Sequence, residues 1–280
     1  MSILELIGNT PMVELWQGAF SKLEMKNPSG SVKDRAAKAI LENANLPHGS
    51  HIIEATSGNF GISLALVSAV MGYSLTVVMP SSASFERRKI IEAYGGKVIL
   101  VEGSMAEAVN RAREISENNA WFMPNQFSNK LNSLAHYETT APEILGDLGR
   151  VDIFVSGVGS GGSITGVARY LKEKNPDTRV VAVHPSQGSV IEGIGAGFVP
   201  PIFDSSLVDE DVFVSSDTAI HYAKLLANKY GILAGISSGA AVFAAKILSD
   251  RSENKGKNII ALLPDGGDRY YSTKLFDAKT

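Results

Sequence analysis

There is no cysteine among the 280 residues. That removes disulfides, thiolate nucleophiles and thiolate metal ligands from consideration. No stretch approaches the roughly 18 uninterrupted apolar residues that cross a bilayer as a helix. The start, MSILELIGNTP, lacks the basic residues and apolar run of a secretion signal. An excess of one charge is missing too: 26 basic and 29 acidic residues leave a formal net charge of −3. Neither nucleic acid nor an anionic membrane finds an electrostatic partner in that balance. The histidines His48, His51, His136, His184 and His221 have no metal-ligand spacing and are read as structural or surface residues, so no metal is expected. A cytoplasmic globular protein is the expectation from 44% hydrophobic and 20% charged residues.

What is present is an alternation of short β-branched runs with longer helical patterns. HIIEA leads into GISLALVSAVMG, SLTVVM into SASFERRKIIEAYGG, and KVILVEG into SMAEAVNRAREISENN. Further on, VDIFVSGVG, ITGVARYLKEKNP and RVVAVHP follow one another, and NIIALLPDGG comes after AVFAAKILSDR. Strands that are apolar nearly throughout, each joined to a helix, are parallel strands covered on both faces. The class is α/β with doubly wound sheets. The length accommodates two sheet systems, with a seam expected near residues 137–150.

Ligands of such sheets bind beyond the carboxyl ends of the strands, and three loops there are unusual. EATSGNFGIS, residues 54–63, opens a helix with Thr56, Ser57 and Asn59 around Gly58. These residues either cap the helix or aim amides and hydroxyls at a carboxylate. SGVGSGGSITG, residues 156–166, holds five glycines in eleven residues, among them Gly157, Gly159 and Gly162 in G-x-G-x-x-G spacing. A dinucleotide site wants an acid ending a second strand about 20 positions on, whereas Asp177 stands in a KNPDT turn before the strand. No Gly-Lys-Ser/Thr follows, so a Walker A loop is excluded. With Ser160 and Ser163 as hydroxyls, the reading is a phosphate monoester cup at a helix N-terminus. The third loop, YGILAGISSGAAVFAA at 230–245, again enters an apolar helix, with Ser237 or Ser238 in the position of a cap.

EMKNPSGSVKDRAAKAI, residues 24–40, places Lys33 in the first turn of a helix, where the helix dipole disfavours a cation. One reading is a solvated lysine paired with Asp34 or Glu24. The other is a desolvated amine of lowered pKa, nucleophilic towards a carbonyl. A lysine, an aldehyde and a phosphate together describe pyridoxal 5'-phosphate bound as a Schiff base.

Taken together, NPSGSVKDR, TSGN, GVGSGGSITG and GILAGISSGAA resemble the motif set of the cysteine synthase (O-acetylserine sulfhydrylase) family. IGNTP at 7–11, ERRK at 86–89, NQFSN at 125–129, GIGAGFVP at 193–200 and GGDRYYST at 266–273 are similar as well, in family order. The resemblance covers essentially the whole chain and leans towards the B-type isozyme. It implies a fold-type II, tryptophan synthase β-like enzyme of two doubly wound α/β domains with mostly parallel sheets. A smaller mobile domain would span 36–140 and carry the TSGN loop. The larger would combine 1–35 with 141–280 and carry the phosphate cup. Lys33 would hold pyridoxal 5'-phosphate as the internal aldimine and serve as the catalytic acid and base. Asn59 would bond the ring hydroxyl, Gly159, Ser160, Gly161, Gly162 and Ser163 the phosphate, and Ser237 would face the ring nitrogen. Thr56, Ser57, Gly58, Asn59 and Gln126 would receive the amino acid's carboxylate.

The implied reaction is replacement of the acetoxy group of O-acetyl-L-serine by sulfide, through an aminoacrylate intermediate, giving L-cysteine and acetate. A homodimer is implied, and the serine acetyltransferase tail is a partner of some relatives. Phe60 departs from the smaller residue usual after the TSGN motif. PDGG replaces the PSSG of A-type enzymes. O-phosphoserine would bring a dianion that wants a guanidinium or ammonium partner, yet no lysine or arginine lies between Val180 and Ala223. A neutral leaving group is therefore expected, unless Arg87, Arg88 or Arg269 reaches the site. Rival readings are O-phosphoserine, cystathionine β-synthase-like, cysteine desulfhydrase or lanthionine-forming chemistry, and a non-catalytic pyridoxal-phosphate-binding partner protein. A nicotinamide-dependent dehydrogenase would rest on the glycine spacing alone.

Overall fold

The β-branched runs form strands whose side chains alternate between two buried faces. A computed structural model describes residues 1–195 and 197–277. Its larger sheet contains β1 (Met12–Trp16), β2 (Ala19–Leu23), β6 (Ile153–Gly157), β7 (Arg179–Pro185), β8 (Glu210–Val214) and β9 (Ile259–Leu263). Their spatial order is β1-β2-β9-β6-β7-β8. All neighbours in it are parallel except β1 and β2, an antiparallel hairpin at one edge. The smaller sheet pairs β3 (His51–Ala55), β4 (Ser74–Pro80) and β5 (Lys97–Val101), all parallel.

Nine α-helices of the described residues cover these sheets: α1 (Lys33–Asn43), α2 (Asn59–Met71), α3 (Phe85–Ala93), α4 (Met105–Asn119), α5 (Lys130–Ala135), α6 (Ala141–Leu148), α7 (Gly162–Lys174), α8 (Ser216–Tyr230) and α9 (Ile236–Ser249). One π-helical turn, His136–Thr140, joins α5 to α6.

The alternation decides which helix covers which face. Val155, Val181 and Ala261 pack with Ala219 of α8 and Ala240 of α9. Their neighbours Phe154, Ala182 and Ile260 point the other way, onto Ile164 and Val167 of α7. In the smaller sheet Ile52 and Val77 pack with Ala37 of α1 and Ile62 of α2. Ile53 and Val78 meet Ala108 and Ala112 of α4. Full burial of such aliphatic side chains contributes roughly 1.5–3 kcal/mol each, and it accounts for the continuous apolar runs of β6, β7 and β9.

β1, β2 and β8 carry no such run and were not legible as strands. Gly18, at φ 76, closes the tight β1–β2 turn, and β2 buries the polar Ser21 and Lys22. Two strands of the larger sheet thus precede the smaller sheet in the chain. Among the described residues, no helix is long and apolar enough to cross a membrane.

Candidate active site

The carboxyl ends of β3, β6 and β9 open into one cavity of about 320 Å³. Lys33, Thr56–Phe60, Gln126, the cup from Gly157 to Ser163, and Ser237 all contribute to its wall. The predicted site residues Lys33, Thr56, Ser57, Gly58, Asn59, Gln126, Gly159, Ser160, Gly161, Ser163 and Ser237 therefore line a single cleft; Gly162 adjoins it as the first residue of α7.

Lys33 is the first residue of α1, held there by its neighbours. The Val32 amide donates to Pro264 O at 2.8 Å, tying the start of α1 to the end of β9. Asp34 is buried and accepts from the Ser29 amide (2.7 Å), the Ser29 hydroxyl and the Ser63 hydroxyl (2.6 Å). Arg35 turns the opposite way into a buried charge cluster. Its Nε and Nη2 donate to Glu24 at 2.7 Å each, and Nη1 and Nη2 to Glu143 at 2.6 and 2.8 Å. Lys22 reaches the same Glu143 at 3.0 Å. The Lys33 partners considered from sequence are thus taken: Asp34 by serines and Glu24 by Arg35. The Lys33 ammonium crosses the cleft instead and donates to Ser160 Oγ at 3.2 Å. Desolvation lowers its pKa to about 8, opposed by the nearby Asp265.

The glycine cup is packed from behind. A Cβ on Gly157 would come within 2.5 Å of Ile194, on Gly159 within 2.3 Å of Gly193 O, and on Gly162 within 2.1 Å of Asn132 Oδ1. Gly161 stands at φ 84 as the residue before α7. Only glycine meets these demands together. The first amides of α7 are left uncapped by any side chain, the arrangement that receives an anion. Ser160 Oγ also accepts from Asn132 Nδ2 at 3.1 Å, and Ser163 Oγ lies 3.1 Å from His136 Nε2. Burial holds His136 well below its ordinary pKa, so its ring is neutral.

The capping explanations of the other two loops do not hold. α2 begins at Asn59 behind Gly58, and α9 at Ile236 behind Gly235; neither has a side-chain cap bond. Ser237 Oγ is buried in the first turn of α9 with no hydrogen-bond partner. A buried hydroxyl without a partner is costly, and this one lines the cleft. Asn59 is clamped: its Nδ2 donates to Asp265 Oδ2 at 2.7 Å, and its Oδ1 accepts from Arg269 Nη1 at 2.8 Å. Tyr270 donates to the same Asp265 oxygen at 2.6 Å. Gln126 is fixed through its backbone, its amide near Glu54 Oε2 (3.4 Å) and its carbonyl accepting from Asn132 (2.8 Å). Burial raises the Glu54 pKa to about 8. Phe60 is buried at 1% exposure, forming cleft wall and core at once.

The sequence shows Asp265 only within the PDGG stretch and Arg269 only as a charge that could reach the site, and it singles out neither Asn132 nor Glu192. None of these carries a local signal, because each acts on residues far away in the chain. The three arginines held open from sequence are all engaged. Arg87 pairs with Glu192, Arg88 donates to the Ala83 carbonyl, and Arg269 to Asn59 and to Ser29 O. Among the described residues no cluster could hold a metal ion.

A cup for a phosphate, a desolvated lysine beside it, and an orphaned buried hydroxyl fit the phosphate, aldehyde and ring nitrogen of pyridoxal 5'-phosphate. The family profile described as pyridoxal-phosphate dependent enzyme matches residues 3–265. The chain belongs to that family. A Staphylococcus aureus cysteine synthase is 40% identical over 300 residues, covering 98% of this chain and 96% of its own length. The solved structure of O-ureido-L-serine synthase superposes with a TM-score of 0.95 at 42% identity, covering 100% of this chain and 96% of the other. The cysteine synthase of Entamoeba histolytica gives 0.95 at 39% identity, covering 100% and 91%. The likeness spans the whole of this pyridoxal-phosphate-dependent chain, so its fold-type II architecture is shared from end to end.

Proposed function

We propose that this enzyme is a cysteine synthase, replacing the acetoxy group of O-acetyl-L-serine by sulfide to give L-cysteine and acetate. The observation that carries the reading is the placement of Lys33 Nζ against Ser160 of the glycine cup, in the cleft that Ser237 and the TSGN loop complete.

Gly159, Ser160, Gly161, Gly162 and Ser163 hold the cofactor phosphate, Lys33 its aldehyde carbon, and Ser237 its ring nitrogen. Pyridoxal 5'-phosphate supplies an electron sink that acidifies the Cα proton of the bound amino acid. Lys33, set free when the amino group of the substrate takes its place on the cofactor, would remove that proton as general base and return it to Cα after sulfur has added at Cβ. Its pKa of about 8 suits both directions near neutral pH. The clamped amide of Asn59 gives one Nδ2 hydrogen to Asp265 and keeps the second for the ring hydroxyl. Thr56, Ser57, Gly58 and Asn59, around the uncapped start of α2, would receive the substrate carboxylate together with Gln126 across the cleft wall. Ser237 is a neutral partner, which limits charge build-up at the ring and favours elimination over transamination.

Residues 36–140 close over the substrate as the smaller domain, against 1–35 with 141–280, and exclude water. A cytoplasmic homodimer, open to the serine acetyltransferase tail, completes the reading. The similarity to O-ureido-L-serine synthase favours one alternative, the same β-replacement with a nucleophile other than sulfide.

The test is the visible spectrum of purified protein before and after O-acetyl-L-serine, then after sulfide, with the product analysed. A yellow protein that changes colour with O-acetyl-L-serine and recovers on sulfide while forming cysteine is expected. A protein that stays colourless after incubation with pyridoxal phosphate, or a yellow one blind to O-acetyl-L-serine, overturns it.

A further inference from the structure

We infer that Glu192 sets the charge of the Cβ substituent this cleft accepts, admitting neutral leaving groups and turning away phosphate esters. The inference rests on the β-replacement reading above and goes further by assigning the selection to one side chain.

Glu192 follows β7 and stands just before the GIGAGF stretch. Among the described residues, the charged side chains lining the cleft are Lys33 and Glu192. Lys33 serves the cofactor and the Cα proton in that reading, which leaves the Glu192 carboxylate as the charged group on the wall beside the substrate. Arg87 on α3 is joined to this wall through Glu192, which binds its Nη1 directly. Arg87 is buried at 4% side-chain exposure, whereas Glu192 is 35% exposed. Arg87 is held from a second side as well, its guanidinium carbon 5.0 Å from the centre of the Tyr270 ring.

One carboxylate thus does two things. It puts a negative charge on the cleft wall, and it occupies the guanidinium that would otherwise pair a phosphate dianion bidentately. Arg88 and Arg269 are bound to backbone carbonyls and to Asn59, so neither substitutes. A dianionic ester entering the cleft meets the Glu192 carboxylate on the wall, with Arg87 behind it already paired. An acetyl ester meets neither penalty.

The experiment compares kcat/KM for O-acetyl-L-serine and O-phospho-L-serine, with sulfide, in the pyridoxal-phosphate-loaded enzyme at fixed ionic strength. The wild type is expected to prefer the acetyl ester. Glu192→Gln is expected to raise the phospho-to-acetyl ratio by about tenfold, between the bulk-water and the protein-surface limits for one like-charge contact. The double variant Glu192→Gln with Arg87→Gln separates the two contributions. It keeps part of the gain through the lost repulsion and forfeits the part due to freed Arg87. A ratio is insensitive to partial loss of folded enzyme. A wild type that turns over O-phospho-L-serine as well as the acetyl ester overturns the inference, as does a Glu192→Gln ratio equal to wild type while O-acetyl-L-serine remains a substrate. If neither ester reacts nor changes the spectrum of the yellow protein, the β-replacement reading fails first and this inference with it.

Discussion

Glu143 offers a direct measure of what holds Lys33 in place. Its carboxylate accepts from Arg35 at 2.6 and 2.8 Å, from Lys22 at 3.0 Å and from the Asn9 amide at 2.9 Å. These donors outweigh its desolvation and hold its pKa at about 2, against an ordinary 4.5. The side chain is 14% exposed, so solvent screening is slight. A depressed carboxylate stabilises the fold above its unfolded pKa and loses that contribution as pH falls through the folded value. The difference of about 2.5 pK units, 4.5 less 2, corresponds to about 3 kcal/mol at pH 7. At pH 3, only about one unit above the folded value, less than half of that remains. Glu143→Gln mimics the protonated group. The variant is therefore expected to lose about 3 kcal/mol at pH 7 and less than half of that at pH 3. Urea unfolding of the cofactor-loaded protein, followed by tryptophan fluorescence at both pH values, gives the comparison. A loss below about 1 kcal/mol at pH 7, the range of an exposed ion pair, would refute the reasoning. So would a loss that does not shrink in acid.

Three further outcomes are expected. In the apoprotein, a small neutral acylating reagent should modify Lys33 with a midpoint near pH 8, below solvated lysines, as peptide mapping across pH will report; a midpoint near 10.5 would mean the amine is not desolvated. Gly162→Ala brings a methyl group within 2.1 Å of Asn132 Oδ1, so thermal unfolding should show about 1–3 kcal/mol of overpacking, with faster loss of the yellow cofactor on dialysis. Ser237→Asp gives the ring nitrogen an anionic partner and should raise the ratio of transamination product to cysteine; an unchanged ratio removes the argument from a neutral partner.

Much of the fold was legible because β3, β4, β6, β7 and β9 have apolar centres with few polar residues, a pattern made by a sheet covered on both faces. The glycine cup was legible for a related reason: three of its positions tolerate no Cβ, so the sequence there has no freedom. The hairpin β1–β2 escaped because buried Lys22 and Ser21 imitate the polar alternation of a surface segment. The clamp on Asn59 escaped for another reason. Asp265 and Arg269 lie 206 and 210 positions away from it, and only the meeting of two sheets brings them together. Thr56, Ser57 and Ser237 were ambiguous between capping and binding until the helix starts proved to be uncapped.

The place of β9 has a consequence for how the molecule is made. β9, at Ile259–Leu263, is inserted between β2, at Ala19–Leu23, and β6, at Ile153–Gly157. The smaller sheet uses strands that follow one another in the chain and can assemble early during synthesis. The larger sheet stays split until Leu263, the end of β9, has left the ribosome. Pro264 and Asp265, which fasten Val32 and Asn59, arrive with that last strand. A chain ending before β9 therefore has the lysine and the glycine cup without the strand that fastens Val32 and Asn59, and cofactor capture reports that β9 is in place.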